Sequence, residues 1–233
     1  MAVEYTTTKD KKLPINVLVY GRSGIGKTWL IPTCPKPIII STESGLLSIA
    51  GDDFPEIPVI KVSTLEDLKV AFKTVKKNKG KFKTVCLDSI TDIAEAILSH
   101  LKKNTKHGAA AYGKLNEEIG DLIRDFRDLP MDSYFIAQLA YKENAAGIEC
   151  ARPAMPGNTL RNQLPYFFDE VLCLRFSGDE EEDDEEDTTS YRYFQTAPDL
   201  AYDAKDRSGA LDAMEEPDMK KIFKKIRKRI KGN

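Results

Sequence analysis

The sequence of 233 residues predicts an α/β fold with a mostly parallel central sheet flanked by helices. Short apolar segments alternate along the chain with longer segments of helical period, which is the pattern of parallel-sheet proteins. Several of the short segments are apolar almost throughout, as expected for strands that are covered on both faces. A glycine-rich segment directly follows the first of them, where α/β proteins bind phosphate groups.

The first part of the chain supplies most of the predicted sheet and its helices. The predicted strands span residues 15–20, 37–42, 57–62, 83–88 and 133–138, and the predicted helices span residues 65–78, 90–103 and 113–128. The first helix follows Ser63, and a hydroxyl residue followed three positions later by Glu66 is typical of a capping box. The third helix has apolar residues at helical spacing, which indicates core packing.

The rest of the chain is less regular. Residues 140–160 contain two glycines and two prolines without a clear period, so we predict a long loop there. Segments 167–176 and 191–196 predict a β-hairpin whose tip, residues 178–189, is acidic. A final helix is expected to begin near Pro217. We therefore expect a core over residues 1–210 and a basic C-terminal helix or tail over residues 211–233.

Composition narrows the class of protein. Hydrophobic residues make up 41% of the chain and charged residues 31%, which predicts a packed core and excludes global disorder. No apolar segment is long enough to cross a bilayer and no leader opens the chain, so we expect a soluble, cytoplasmic protein without a membrane partner. Four scattered cysteines and two histidines argue against a structural zinc site.

Charge is segregated along the chain. Residues 179–187 are nine consecutive acids, so the net charge of −2 conceals a formal +7 on the remaining residues. The last fourteen residues contain eight lysines and arginines. Such segments are often solvated surface, but a basic tail can also bind nucleic acid. The acidic segment could mimic phosphate and compete for the same basic surfaces.

Residues 21–28 fit the phosphate-binding P-loop pattern G-x-x-x-x-G-K-[ST], between a predicted strand and a segment that can open a helix. Its backbone N–H groups can surround a pyrophosphate. Lys27 would neutralise the β- and γ-phosphates, and the Thr28 hydroxyl would bind Mg²⁺. The residues predicted to bind the nucleotide are Gly21, Ser23, Gly24, Ile25, Gly26, Lys27, Thr28 and Trp29.

Asp88 follows a predicted apolar strand, residues 84–87, which is the Walker B arrangement. Because parallel strands end at the same edge of a sheet, its carboxylate should lie beside the P-loop and hold Mg²⁺ with Thr28. The alternative is that Asp88 only caps the helix that begins near Thr91.

Two further polar residues end predicted strands. Ser89, rather than a glutamate, follows Asp88, so the carboxylate that activates water must come from elsewhere. Glu43, after strand 37–42, is the best candidate, although it could also be a surface residue in a turn. Gln138, the last residue of strand 133–138, could sense the γ-phosphate and relay its state to the following loop.

In these motifs the chain resembles RecA-like recombinase ATPases, and most closely the phage single-strand-annealing proteins of the Sak-four type. Five blocks carry the resemblance in order over residues 12–210: 21–28, 41–45, 87–91, 134–138 and 205–209. It implies ATP and Mg²⁺ as cofactors, catalytic roles for Lys27 and Glu43, and a γ-phosphate sensor at Gln138. It also implies that Lys205 and Arg207 reach the nucleotide site of a neighbouring subunit.

The resemblance further implies single-stranded DNA as partner, a homo-oligomer as ring or filament, a single-strand-binding protein as possible partner, and the host bacterial cytoplasm as location. Two segments, 102–114 and 139–160, correspond to DNA-facing loops. Their cations can neutralise phosphates and their aromatic rings can stack on bases. The candidate residues are Lys102, Lys103, Lys106, Lys114, Tyr141, Lys142, Arg152 and Arg161. The chain lacks the N-terminal domain by which RecA-like recombinases polymerise, so its mode of assembly stays open.

We therefore predict an ATPase that binds single-stranded DNA and couples Mg-ATP hydrolysis to assembly, for recombination or annealing. The alternative is a nucleotide-dependent regulator or loader that acts on a protein partner without binding DNA. A small-molecule kinase is disfavoured because residues 139–161 offer only two arginines for a lid, and a GTPase because no N-K-x-D motif is present.

Overall fold

The computed structural model describes residues 13–42, 46–143, 147–179 and 190–232. Its strands are β1 (Asn16–Gly21), β2 (Pro37–Ser41), β3 (Val59–Lys61), β4 (Thr84–Asp88), β5 (Asp132–Glu143), β6 (Glu149–Pro153), β7 (Glu170–Phe176), β8 (Arg192–Gln195), β9 (Lys205–Asp206) and β10 (Met214–Glu215). Its α-helices are α1 (Leu65–Lys77), α2 (Ile90–Lys103), α3 (Gly108–Arg127), α4 (Asn158–Gln163) and α5 (Met219–Lys231).

The strands form one mixed sheet in the order β10-β8-β7-β1-β5-β4-β2-β3. The six strands from β7 to β3 in this order are parallel, and β8 and β10 extend the β7 edge in antiparallel orientation. The predicted fold class, a mostly parallel α/β sheet flanked by helices with a C-terminal hairpin and basic helix, is therefore confirmed. All five predicted strands and all three predicted helices are present, although α3 begins earlier than expected, at Gly108.

The core lies on both faces of the sheet. Side chains alternate along β1, so that Leu18 and Tyr20 face the layer formed by α1 to α4 while Val17 and Val19 face the opposite layer. That second layer is closed by α5, whose residues Met219, Ile222, Phe223 and Ile226 are buried. None of the helices within the described ranges has the length and apolar character needed to cross a bilayer.

The segment after the P-loop, which was predicted to open a helix, forms a short 3-10 helix, Thr28–Thr33. It does not continue as an α-helix, because Pro32 within it cannot donate a backbone hydrogen bond. The backbone N–H of Met219 donates to Thr33 Oγ1 at 2.9 Å, so the start of α5 packs directly against this short helix.

The predicted long loop over residues 140–160 is wrong. β5 stays paired with β1 as far as Gln138 and then pairs with the antiparallel β6 from Leu139 to Glu143. The short helix α4 follows this β5–β6 hairpin. No apolar period marks these strands in the sequence, and the pairing between β5 and β6 holds them extended.

The predicted capping box is present one residue later than expected. Thr64 caps α1 and accepts from the backbone N–H of Asp67, whose carboxylate accepts in return from the N–H of Thr64 at 2.9 Å. Asp67 makes the contact that was predicted for Glu66. The capping box is therefore predicted correctly, but one residue too early.

Glu170 is a fully buried carboxylate at the start of β7. Its Oε1 accepts from the backbone N–H of Ser208 at 3.2 Å. Burial and the neighbouring Asp206 carboxyl raise the pKa of Glu170 from 4.5 to about 8. The folded protein therefore keeps this group protonated at pH values where the unfolded chain has lost the proton.

The free energy of unfolding should fall as the pH rises from about 5 to 8, by up to ~1 kcal/mol per pH unit from this group. Glu170→Gln, which cannot ionise, should remove that contribution. The variant should therefore become more stable relative to the wild type as the pH rises. Denaturant titrations of both proteins at several pH values measure this difference. Parallel pH profiles would contradict the assignment.

Candidate functional site

The P-loop begins where β1 ends, and its shape depends on three glycines. Gly24 and Gly26 have positive φ angles of 76° and 103°, a backbone conformation that side chains disfavour. A Cβ at Gly21 would lie 2.7 Å from the carbonyl oxygen of Leu174 in β7. The loop therefore keeps its curvature, with backbone N–H groups available to an anion, only with glycine at these positions.

Lys27 lies over the loop that precedes it. Its Nζ donates to the carbonyl oxygens of Gly21 and Arg22, each at 2.8 Å. Burial lowers the pKa of Lys27, and the nearby Asp88 carboxylate opposes that shift. The amine is thus held inside the loop, where it can meet the β- and γ-phosphates of a nucleotide.

Thr28 and Asp88 meet as predicted. Thr28 Oγ1 donates to Asp88 Oδ2 at 2.7 Å, although the two residues come from different elements. The alternative role of Asp88 as a helix cap is not seen, because Ser89 occupies the N-cap position of α2. A hydroxyl beside a carboxylate is a set of hard oxygen donors, so this pair fits Mg²⁺.

Asp92, which the sequence analysis did not select, links Gln138 to this pair. Gln138 Nε2 donates to Asp92 Oδ1 at 2.7 Å, and the Ser89 hydroxyl bonds to the other oxygen of Asp92. The backbone N–H of Gln138 donates to Thr91 Oγ1 at 3.0 Å. β5 is therefore tied at Gln138 to the first turn of α2. The position of Asp92, in the first turn of the helix that follows Asp88, is the signal that could have identified this residue.

Arg192, also missed, covers the P-loop from β8. Its Nη1 donates to the carbonyl oxygen of Ile25 at 3.3 Å, and a Cβ at Gly26 would collide with the guanidinium. The same guanidinium lies 5.5 Å from the ring of Trp29, which is 46% exposed. Sequence could not reveal this contact, because it depends on β8 lying two strands from β1.

These residues line one cleft of about 840 Å³, a size that suits a nucleotide. The lining residues include Arg22, Ser23, Gly24, Gly26, Lys27, Thr28, Trp29, Asp88, Asp92, Gln138, Tyr141 and Arg192. Glu43, the predicted catalytic carboxylate, lies outside the described residues. It follows β2, whose last residue, Ser41, pairs with Asp88.

Lys205 and Arg207 lie away from the cleft of their own chain. Lys205 Nζ donates to the carbonyl oxygens of Pro165 and Phe168, at 2.6 and 2.5 Å, and its burial lowers its pKa. Arg207 pairs with Asp169 at 3.1 Å. Both residues are beside the start of β7, whereas the P-loop is at the opposite edge of the sheet.

The first predicted DNA-facing loop, residues 102–114, is mostly helical, which corrects that prediction. Lys102 and Lys103 end α2, and Lys114 lies within α3, so only residues 104–107, with Lys106, connect the two helices. Lys102 Nζ lies 4.8 Å from the centre of the Tyr112 ring. The cations are therefore on the rim of two packed helices.

The second group lies on the β5–β6 hairpin and α4. Tyr141, 47% exposed, lines the nucleotide cleft, and Lys142 Nζ is 3.4 Å from Asn162 Oδ1. Arg152 Nε pairs with Asp203 at 2.9 Å, and Arg161 donates to the carbonyl oxygen of Met155 at 3.3 Å. The structure thus brings Tyr141 to the cleft, places Lys142 beside Asn162 of α4, and engages the two arginines elsewhere.

Comparison with known proteins supports a nucleotide-binding core. A family model described as an AAA domain matches residues 13–208, which include every strand from β1 to β9. No curated protein is significantly similar in sequence. Among solved structures, the chain is similar to a KaiC-like protein of the archaeon Pyrococcus horikoshii OT3, with 15% identity over 77% of this chain and 76% of that chain and a TM-score of 0.48.

Arg192→Ala should weaken ATP binding about tenfold, because a cation beside the P-loop contributes a charge-assisted hydrogen bond to phosphate. Arg192→Lys should retain part of the affinity. Arg124→Ala, which removes an exposed arginine from α3, is the matched control. Titration calorimetry with ATP measures the effect. An unchanged affinity in Arg192→Ala would show that the guanidinium does not contact the bound nucleotide.

Proposed function

The chain belongs to the AAA domain family, and we propose that it is an ATP-dependent recombination protein of the RecA-like, single-strand-annealing type. It would bind single-stranded DNA as a homo-oligomer and couple Mg-ATP hydrolysis to assembly on the strand. The observation that carries the proposal is the position of Gln138. This residue joins the P-loop edge of the sheet to the hairpin that bears Tyr141 and Lys142.

Nucleotide chemistry follows from the cleft. The P-loop backbone and Lys27 would bind the phosphates, while Thr28 and Asp88 would hold Mg²⁺, which neutralises charge on the transferred phosphoryl group. Glu43 would orient and polarise the attacking water. Lys205 and Arg207 are engaged beside the start of β7, away from their own cleft, so a catalytic role for them would require a neighbouring subunit.

Coupling to DNA would pass through β5. Gln138 contacts Asp92 beside the predicted Mg²⁺ site, and the next residues leave the main sheet to pair with β6. A change at the γ-phosphate that breaks the Gln138–Asp92 bond would shift the hairpin, and with it Tyr141 and Lys142. An aromatic ring and a cation are the groups that a sequence-tolerant binder of single strands needs.

A nucleotide-dependent regulator or loader remains the second candidate. It is favoured by the contacts of the two arginines. The ion pair with Asp203 compensates the charge of Arg152, and the hydrogen bond to a backbone carbonyl occupies one donor of Arg161 that could otherwise bind phosphate. A protein partner, such as a single-strand-binding protein, would then occupy the hairpin surface.

ATP turnover with and without a poly-pyrimidine oligonucleotide, across a salt series, separates the two functions. A DNA-binding protein should show faster turnover with oligonucleotide and a steep loss of affinity with salt. Lys142→Ala should reduce the salt slope by about 0.7, the value for one phosphate contact on a single strand. Lys73→Ala on α1 is the matched control. Absence of both stimulation and salt dependence would favour the regulator.

Glu43→Gln should preserve ATP binding and reduce turnover by about 100-fold or more, because it removes the proposed general base but keeps its size. Loss of ATP binding would reject the assignment. Mixing Glu43→Gln with Arg207→Ala protein tests whether the cations act between subunits. Turnover should recover in the mixture, where an intact cleft can meet an intact Arg207, and no recovery would mean that Arg207 does not act in trans.

A further inference from the structure

A second cleft, of about 790 Å³, lies at the edge of the sheet opposite the P-loop. Pro14, Lys83 and Asp132, which precede or begin β1, β4 and β5, line it together with one side of α5. Seven of its lining residues are basic: Lys79, Lys83, Lys220, Lys224, Arg227, Lys228 and Lys231. We call this cleft the basic groove.

The charge of the basic groove is largely uncompensated. Asp132 is the one acidic residue among the described residues of the lining, and Arg227 pairs with it at 2.5 Å. Lys221 and Lys225 pair with carboxylates of residues 212–216, but neither lysine lines the groove. Within the described ranges, no carboxylate pairs with the remaining groove lysines of α5, which repeat every three or four residues along one side of the helix. Because like charges at this spacing repel each other, an anion bound there would stabilise the helix.

The side chains on the floor of the groove favour one kind of polyanion, an acidic peptide, over another, a single-stranded nucleic acid. It is formed by Pro14, Pro35, Pro130, Met131 and Phe223. Phe223 is only 3% exposed and Phe82 is half-buried, so the described residues of the lining offer no freely exposed ring for base stacking. Binding of single-stranded nucleic acid relies on such rings, whereas an acidic peptide needs only cations and an apolar floor. The groove therefore fits an acidic peptide better than a single strand.

The chain itself contains such a peptide, at the opposite edge of the sheet. Residues 179–187 are nine consecutive acids that follow β7. β7 ends two residues beyond Leu174, which contacts Gly21, so the acidic segment leaves the sheet on the P-loop side.

The acidic segment is attached far from the basic groove of its own chain. The undescribed residues 180–189 are attached at both ends, so their midpoint can lie at most ~17 Å from either attachment point. The end of β7 is separated from Pro14 by the height of the sheet, which is roughly 30 Å at the rise of a strand.

We propose that the acidic segment 179–187 of one copy binds the basic groove of another copy, so that the chains assemble head to tail. Such a contact joins two different surfaces and is therefore repeatable, giving a ring if it closes and a filament if it does not. It needs neither nucleotide nor DNA, so its test is independent of the function proposed above.

Sedimentation velocity without nucleotide or DNA tests the proposal with two variants. Lys224→Glu/Lys228→Glu reverses charge in the groove, and a second variant replaces residues 179–187 with Ser and Gly. At low salt, wild type should assemble with rising concentration and dissociate in high salt, while each variant should self-associate at least tenfold more weakly. Lys73→Glu/Lys77→Glu, an exposed lysine pair of the same spacing on α1, should assemble like wild type.

Mixing the two variants provides the sharper measurement. The groove variant keeps its acidic segment and the other variant keeps its groove, so the mixture should form a one-to-one dimer and nothing larger. Two variants that stay monomeric when mixed, or that each assemble like wild type, would overturn the proposal. Binding of an oligonucleotide that is lost in the groove variant, with no dimer in the mixture, would instead assign the groove to nucleic acid.

Discussion

The parallel register of the central sheet is the constraint on which the rest of the structure depends. Gly21 of β1 lies beside Gln138 of β5, and Asp88 ends β4 on the other side of β5. Because the parallel strands end at one edge, residues separated by more than a hundred positions in sequence meet within one cleft. The Thr28–Asp88 hydrogen bond is a direct result of that register.

Sequence predicted the parts of the molecule whose pattern is local. The central strands are buried on both faces, so their apolar character identified them, and Asp88 was found because it ends such a strand. Sequence did not reveal the β5–β6 hairpin, the early start of α3 or the position of Arg192 over the P-loop. These features depend on strand order and on packing between distant segments, which leave no period in the chain.

Helices α1 to α4 cover one face of the sheet and α5 covers the other, and the reason lies in the segment that follows the P-loop. Pro32 limits the segment after the loop to a short 3-10 helix, which cannot cover the apolar side of β1. α5 covers it instead, with its start fixed by the Met219–Thr33 hydrogen bond. The basic C-terminal helix is therefore part of the core, and its charged side faces outward because its apolar side fills this layer.

The contacts of Lys27 also bear on how a ligand is received. With the Lys27 ammonium bonded to two of its carbonyl oxygens, the loop has the curvature that a pyrophosphate requires. The conformational entropy of ordering that loop is lost when the chain folds, and little of it remains to be lost on association. When a phosphate binds, the Lys27 ammonium exchanges the carbonyl oxygens of the loop for phosphate oxygens as its acceptors. Selectivity at this position therefore rests on charge and geometry rather than on refolding of the backbone.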